Sequence, residues 1–245
     1  MALPTGTDLF GVVMLLLGAV VLLVSARYVW RAGAVVRAAA VDSLAGVDDG
    51  SLVRLSGAAE RADDALTAPF TGRESLVLRY AVEERRLSPV LLPWFVTIHE
   101  RAGSAPFRLR TSAGVVDVVE PTRTVTLATD VVATVAPDEA PPERIERFEA
   151  RADALPSTTW WHARPPVVGA VAGALSLGAR RYAEQRATPG DDVTVVGRVV
   201  DGGVDPLVVS DRSPAGTLRR MAGTSLAGIA VGVVAAALGV VLLAG

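Results

Sequence analysis

Side-chain chemistry at neutral pH depends mostly on imidazoles, thiols and juxtaposed carboxylates, and this chain has very few of the first two. It carries two histidines, His99 and His162, and no cysteine. Neither histidine sits at a two-ligand spacing such as HExxH, and no thiolate is present to complete a zinc set. The missing thiols also exclude disulfides, thiol nucleophiles and redox pairs. His99, beside Glu100 and Arg101, reads as a surface or interface residue. The glycines show neither GxGxxG nor GxxxxGK spacing, and no Gly-x-Ser-x-Gly elbow occurs. The 26 acidic residues always allow some carboxylate pair in space. The runs Glu83-Glu84-Arg85-Arg86 and Glu143 to Arg151, however, read most simply as solvated faces with internal ion pairs. No catalytic, cofactor or metal site is therefore expected.

Aromatic residues offer binding rather than catalysis. Trp160-Trp161-His162 forms a compact patch that fits a membrane or partner contact and fits core packing equally well. The segment Leu87-Ser88-Pro89-Val90-Leu91-Leu92-Pro93-Trp94-Phe95 is apolar and broken by two prolines, so its first part reads as a loop. A greasy loop docking on a bilayer and a buried crossover both fit it, with the crossover slightly preferred. Trp94, Phe95, Trp160 and Trp161 make up the candidate interaction surface.

The elements that must position these residues are set by an apolar excess: 51% hydrophobic residues and a mean hydropathy of +0.41 over 245 residues. Soluble domains are less apolar. Residues 9–26 carry no charge and are long enough for a membrane helix. Tyr28 and Trp30 follow as an interfacial belt with Arg27 and Arg31, and the acidic Asp8 ahead argues against a cleaved signal. Residues 221–245 make a second uncharged stretch. Arg27, Arg31 and Arg37 follow the first span and Arg212, Arg219 and Arg220 precede the second, which predicts a cytoplasmic central domain and both termini outside. Gly228, Gly232 and Ala236 line one stripe of the second span, and Gly11, Gly18 and Ser25 line one stripe of the first. Such small residues suit close packing of the two spans, or of the second span in a homo-oligomer, and equally fit a chain in which Gly and Ala are simply common. A third uncharged stretch, 165–179, is too short for a span and reads as core or interface. All 24 basic residues are Arg, and Lys and Asn are absent, which points to GC-rich coding. The net charge of −2 gives no reason to expect nucleic acid as a partner.

Between the spans the expected class is α+β, with a β-rich domain over 48–215. A juxtamembrane helix continues the first span to about residue 46. Period-two runs then mark strands near 53–57, 76–83, 94–100, 107–109, 115–119 and 124–127. Pro141-Pro142 opens a helix with Ile145, Phe148 and Ala152 on its apolar stripe. A later strand, Val193-Thr194-Val195-Val196-Gly197, repeats the Val-x-Leu-x-Gly of Val53 to Gly57. This allows two related β units, 48–130 and 187–215, joined by a helical segment 140–186.

The first signature, Val53-x-Leu55-x-Gly57 followed by Leu66-Thr67-Ala68-Pro69-Phe70-Thr71-Gly72-Arg73-Glu74-Ser75 and Leu76-Val77-Leu78-Arg79-Tyr80, resembles the domain of the GIDE/MULAN membrane ubiquitin ligases. So does the second, Arg181-Tyr182-Ala183-Glu184-Gln185 with Pro189 to Gly197, and so does a span on each side. The resemblance implies a RING-type ubiquitin transferase, yet a chain without Cys builds no zinc-bound RING. The expectation is a membrane-anchored, non-catalytic scaffold that binds the bilayer and unidentified protein partners. The alternative is a substrate-recognition component of a ligase-like or quality-control system whose catalytic RING is supplied by a partner.

Overall fold

A computed structural model describes residues 6–88, 92–119, 122, 124–152, 155, 173–211 and 214–244. Trp160, Trp161, His162 and most of 165–179 lie outside them. The chain is mixed α+β, rich in strand, and forms two compact units: Met1–Ala39 with Arg212–Gly245, and Ala40–Asp211.

The first unit is an antiparallel helix pair, α1 (Gly6–Arg37) and α3 (Pro214–Ala244). Over Leu9–Arg27, α1 is long and apolar enough to cross a membrane; the apolar stretch described in α3, Gly228–Leu243, is shorter. The helices meet along small residues. A Cβ on Gly18 would lie 2.6 Å from the Ala236 nitrogen and 2.8 Å from the Gly232 oxygen. One on Gly239 would lie 2.7 Å from the Leu15 nitrogen, and one on Gly228 would collide with the Ser25 hydroxyl. Backbone-to-backbone contact of this kind brings many atoms of the two helices into van der Waals range. The helical geometry of α1 ends at Arg37 rather than continuing to residue 46. Ala39–Ala40 is a short strand (β1), and Val41 donates its N–H to the Arg54 carbonyl at 3.0 Å.

The second unit is built on a ring of five strands. β2 (Leu52–Arg61) pairs with β12 (Asp192–Val200) through residues 52–58 and with β7 (Phe107–Thr111) through 58–61. β7 turns into β8 (Gly114–Val118), and β12 turns into β13 (Gly203–Ser210). A parallel contact, Val118 opposite Val204, joins β8 to β13 and closes the ring. Around it the order is β2-β7-β8-β13-β12, which is the Greek-key order of an OB-type barrel. Its interior holds Val53, Leu55, Phe107, Leu109, Val195 and Val209, all buried. Gly57 stands where β2 changes partner, and a Cβ there would strike the Arg110 carbonyl. β12 and β13 are joined by Asp201 and Gly202, both at positive φ (50° and 77°), which is type I′ hairpin geometry.

Two insertions leave this ring. The β2–β7 connection contains the small β3 (Leu66–Thr67) and β4 (Glu74–Ser75) ladder, then β5 (Val77–Leu87) and β6 (Pro93–Ser104). The β8–β12 connection contains β9 (Val125–Thr126), β10 (Thr129–Val135), α2 (Glu143–Glu149) and β11 (Arg180–Ala187). Strand pairs from the two insertions join edge to edge, β11 against β5, into one antiparallel sheet in the order β10-β11-β5-β6.

Three expectations are corrected here. The segment 140–186 does not form one helical connector, because helix α2 stops at Glu149 and residues from Arg180 onward form a central strand. The two Val-x-x-x-Gly patterns do not begin separate units. β2 and β12 are neighbours, with Val193 opposite Gly57 and Val53 opposite Gly197. The Leu87–Phe95 segment is not a crossover, since it joins adjacent strands as a hairpin in which Ser88 N–H donates to the Leu92 carbonyl at 2.9 Å.

The helix seam can be tested in this cysteine-free chain. A Cβ built on Gly228 lies 3.6 Å from the Ser25 Cβ, within the span a disulfide bridges. The S25C/G228C double variant is expected to form an intramolecular disulfide on mild oxidation, seen as a monomeric mobility shift on a non-reducing gel. Dimers alone would contradict the seam.

Candidate interaction surface

The second sheet holds an unusual amount of buried charge. Glu184, from β11, is fully buried, and every contact to its carboxylate is a donor. Oε1 accepts the N–H of Phe70 at 2.7 Å and that of Thr71 at 3.2 Å. Oε2 accepts the Thr71 hydroxyl at 2.7 Å and Arg186 Nη1 at 3.0 Å. Arg186 then reaches Asp130 on β10 at 2.9 Å. A residue of the second insertion thus fixes the 68–73 loop of the first, and charge-assisted bonds of this kind are the strong ones.

The fixed loop delivers Phe70 into an aromatic cluster. Its ring meets Tyr80, Phe148 and Tyr182 edge-to-face with centroids 5.7, 5.0 and 5.4 Å apart, an arrangement that adds to burial alone. α2 presents Phe148 and the buried Ile145 to the same cluster. His99 joins it, 5.9 Å from Tyr80 and 6.0 Å from Phe148. It is half-buried in an aromatic cluster rather than a plain surface residue. Burial first, and then the Arg101 guanidinium, hold its imidazole below the ordinary value of 6.5. Burial together with the carboxylate of Glu149 pushes the Tyr182 phenol up. Its hydroxyl donates to Glu149 at 2.6 Å, and Arg180 Nη1 reaches the same oxygen at 2.6 Å.

The run Glu83 to Arg86 is not a solvated face throughout. Glu84 is fully buried, with one oxygen receiving Arg86 Nε at 2.8 Å and the other 4.0 Å from Arg180 Nε. The alternation of a strand puts Glu84 and Arg86 on the side that α2 covers, and puts Glu83 and Arg85 on the other.

Toward the β5–β6 turn the sheet projects apolar surface. Trp94 lies opposite Arg86 and is 55% exposed; Leu92, just before the strand, is 65% exposed. Phe95 lies opposite Arg85 on the other face, with the Arg181 guanidinium 4.2 Å from its ring centre. Arg181 also pairs with Glu83 at 2.5 Å. The structure therefore places Trp94 and Phe95 on opposite faces of one hairpin end. Trp160 and Trp161 fall outside the described residues. Gly228, Gly232 and Ala236 lie in the helix seam, filled by α1 of the same chain. The buried charge network was missed, because its residues look like ordinary polar surface in sequence. One available signal was the pairing of Arg-Tyr-x-Glu-x-Arg with a Pro-Phe-Thr-Gly loop.

Among the described residues no group of three or more His, Asp or Glu is placed to hold a metal ion. No protein-family model, curated protein or solved structure matches the chain.

Two outcomes follow from this geometry. Glu184→Ala strands two backbone donors, a hydroxyl and Arg186, and should lower unfolding stability by about 3–5 kcal/mol in a urea titration. His99 takes up its proton more readily unfolded than folded, so its contribution is complete above pH 6.5 and declines as the pH falls below that value. His99→Phe should flatten that part of the melting-temperature profile.

Proposed function

We propose that this chain is a membrane-anchored, non-catalytic binding module. In this reading α1 and α3 cross the bilayer as a hairpin, and Ala40–Asp211 stands on the cytoplasmic side with both termini outside. The observation that carries it is the surface of the helix pair. Its seam is glycine and serine, whereas its outward residues are large and apolar: Leu16 is 58% exposed, Leu23 72% and Val234 67%. Continuous apolar surface of this kind needs lipid or protein against it. The arginines in the last turns of α1 and those that precede or open α3 support the orientation.

The GIDE-type resemblance belongs to the same proposal. Its two short signatures, far apart in sequence, touch: Glu184 of the second seats Phe70 and Thr71 of the first. A barrel carrying a rigid second sheet with an exposed aromatic end suits recognition, and the fully engaged Glu184 carboxylate suits scaffolding rather than proton transfer. Its partners in this reading are the bilayer and proteins that the β5–β6 end engages.

Single cysteines at Asp138, in an exposed turn, and at Thr7 test the orientation. In intact cells a membrane-impermeant maleimide should label Thr7→Cys and leave Asp138→Cys unlabelled until the membrane is opened. The reverse pattern would overturn the topology, and labelling of both in intact cells would overturn the anchor.

A further inference from the structure

We propose that the sheet face beneath α2 is a binding site for a short amphipathic helix of a partner protein, and that α2 occupies it as an internal stand-in for that partner. Only the Ala40–Asp211 unit is involved. The site therefore stands or falls independently of the membrane anchor, which the maleimide labelling tests separately.

α2 is held to the fold by side chains alone. It has seven residues, too few to hold a helix in water without packing, and Pro142 gives its first turn no side-chain cap. Among the described residues, the backbone hydrogen bonds donated from 143–155 all close within that stretch or on Pro142, so no ladder ties α2 to the sheet. Residues 137–140 ahead of it are all exposed. The face below, by contrast, is fixed without α2. β5 and β11 pair continuously from Val77 opposite Ala187 to Glu84 opposite Arg180, and Glu184 seats the 68–73 loop.

What α2 presents shows what the face recognises. Glu143, Glu146 and Arg147 are exposed, whereas Arg144, Ile145, Phe148 and Glu149 are at least partly buried. Arg144 donates from Nε to the Pro69 carbonyl at 3.1 Å and from Nη2 to that of Ala68 at 3.4 Å. Ile145 is fully buried, and Phe148 stands edge-on to Phe70 and Tyr80 at 5.0 and 5.5 Å. Glu149 Oε1 receives the Tyr182 hydroxyl and Arg180 Nη1, each at 2.6 Å. The face thus accepts a basic, an aliphatic, an aromatic and an acidic side chain at i, i+1, i+4 and i+5. Those positions form one helical stripe, and a partner helix carrying it would meet the same carbonyls, rings and donors. Glu84 favours exchange. Its Oε2 is buried on this face without a hydrogen-bond partner. α2 covers it without supplying a donor; release lets water reach it, and the recovered hydration offsets part of the lost apolar contact.

The test uses the full chain in detergent solution, with a fluorescein-labelled peptide of residues 140–152 as the probe, read by fluorescence anisotropy. A site free only when α2 is lifted binds with an affinity reduced by the open fraction. The Phe148→Ala/Glu149→Ala chain, whose own helix competes poorly, should bind the peptide about tenfold more tightly than the wild-type chain, or better. Peptides carrying Phe148→Ala or Glu149→Gln should lose most of that gain. Hydrogen exchange of the β5 and β11 amides shows whether the sheet of the variant is intact. With an intact sheet, three results would each overturn the site and leave α2 a structural helix: no saturable binding, equal binding to both chains, or binding indifferent to both peptide changes. If the double variant loses its sheet protection, Arg144→Ala decides, because it takes from α2 its two bonds to the loop carbonyls and leaves the face unchanged. That chain should also bind the peptide more tightly than wild type, and equal binding would overturn the site.

Discussion

The carboxylate of Glu184 is the point on which the architecture of the β unit depends. It is buried, receives four donors, and connects two stretches of chain that enter the domain through different strands of the barrel. Burying a carboxylate is costly unless each lone pair is met, and here Phe70, Thr71 and Arg186 meet them. One consequence is positional. With the 68–73 loop fixed, Phe70 is delivered between Tyr80, Phe148 and Tyr182, and helix α2 has a surface to pack on. A second consequence concerns topology. Neither insertion builds a sheet alone, since β5–β6 contributes a hairpin and β10 and β11 come from the other segment. Arg180 reaches Glu84 and Arg181 pairs with Glu83 across the β11–β5 seam where the two insertions meet.

Much of the fold was legible in the sequence, and the exceptions have physical causes. Strands β2, β5, β8 and β12 announce themselves because each buries residues on one face and apolar residues recur at every second position. β11 does not. Arg180-Arg181-Tyr182-Ala183-Glu184-Gln185-Arg186-Ala187 lies at the centre of a sheet, yet its buried positions include Glu184 and Gln185, satisfied by hydrogen bonds rather than apolar neighbours. No period in hydrophobicity marks such a strand. β13 was hidden by Pro206, which normally argues against a central strand. Here the register shifts beside Gly197, opposite Pro206, so the missing N–H falls at the irregularity. The Asp201-Gly202 pair before it is a readable hairpin signal.

The candidate surface was legible in part. Trp94 and Phe95 stand out by type, and their exposure and opposite facing could be settled only by the register of β5 with β6. The charged run beside them misled, because Glu84 is buried under the face that α2 covers. On the helices, the glycine spacing identified which sides approach, and the antiparallel contact of Gly18 with Gly232 and Ala236 identifies the partner as the chain's own second helix. The functional reading combines these parts: a helical hairpin apolar on its outside, and a barrel whose insertions lock into a rigid sheet ending in aromatic residues.

Native-state hydrogen exchange of the full chain reads the interlock of the two insertions directly. The amides of β5 and β6 and those of β10 and β11 should open together, with one shared free energy, although they come from different insertions. Independent opening of the β5–β6 hairpin, with β10 and β11 still protected, would contradict it.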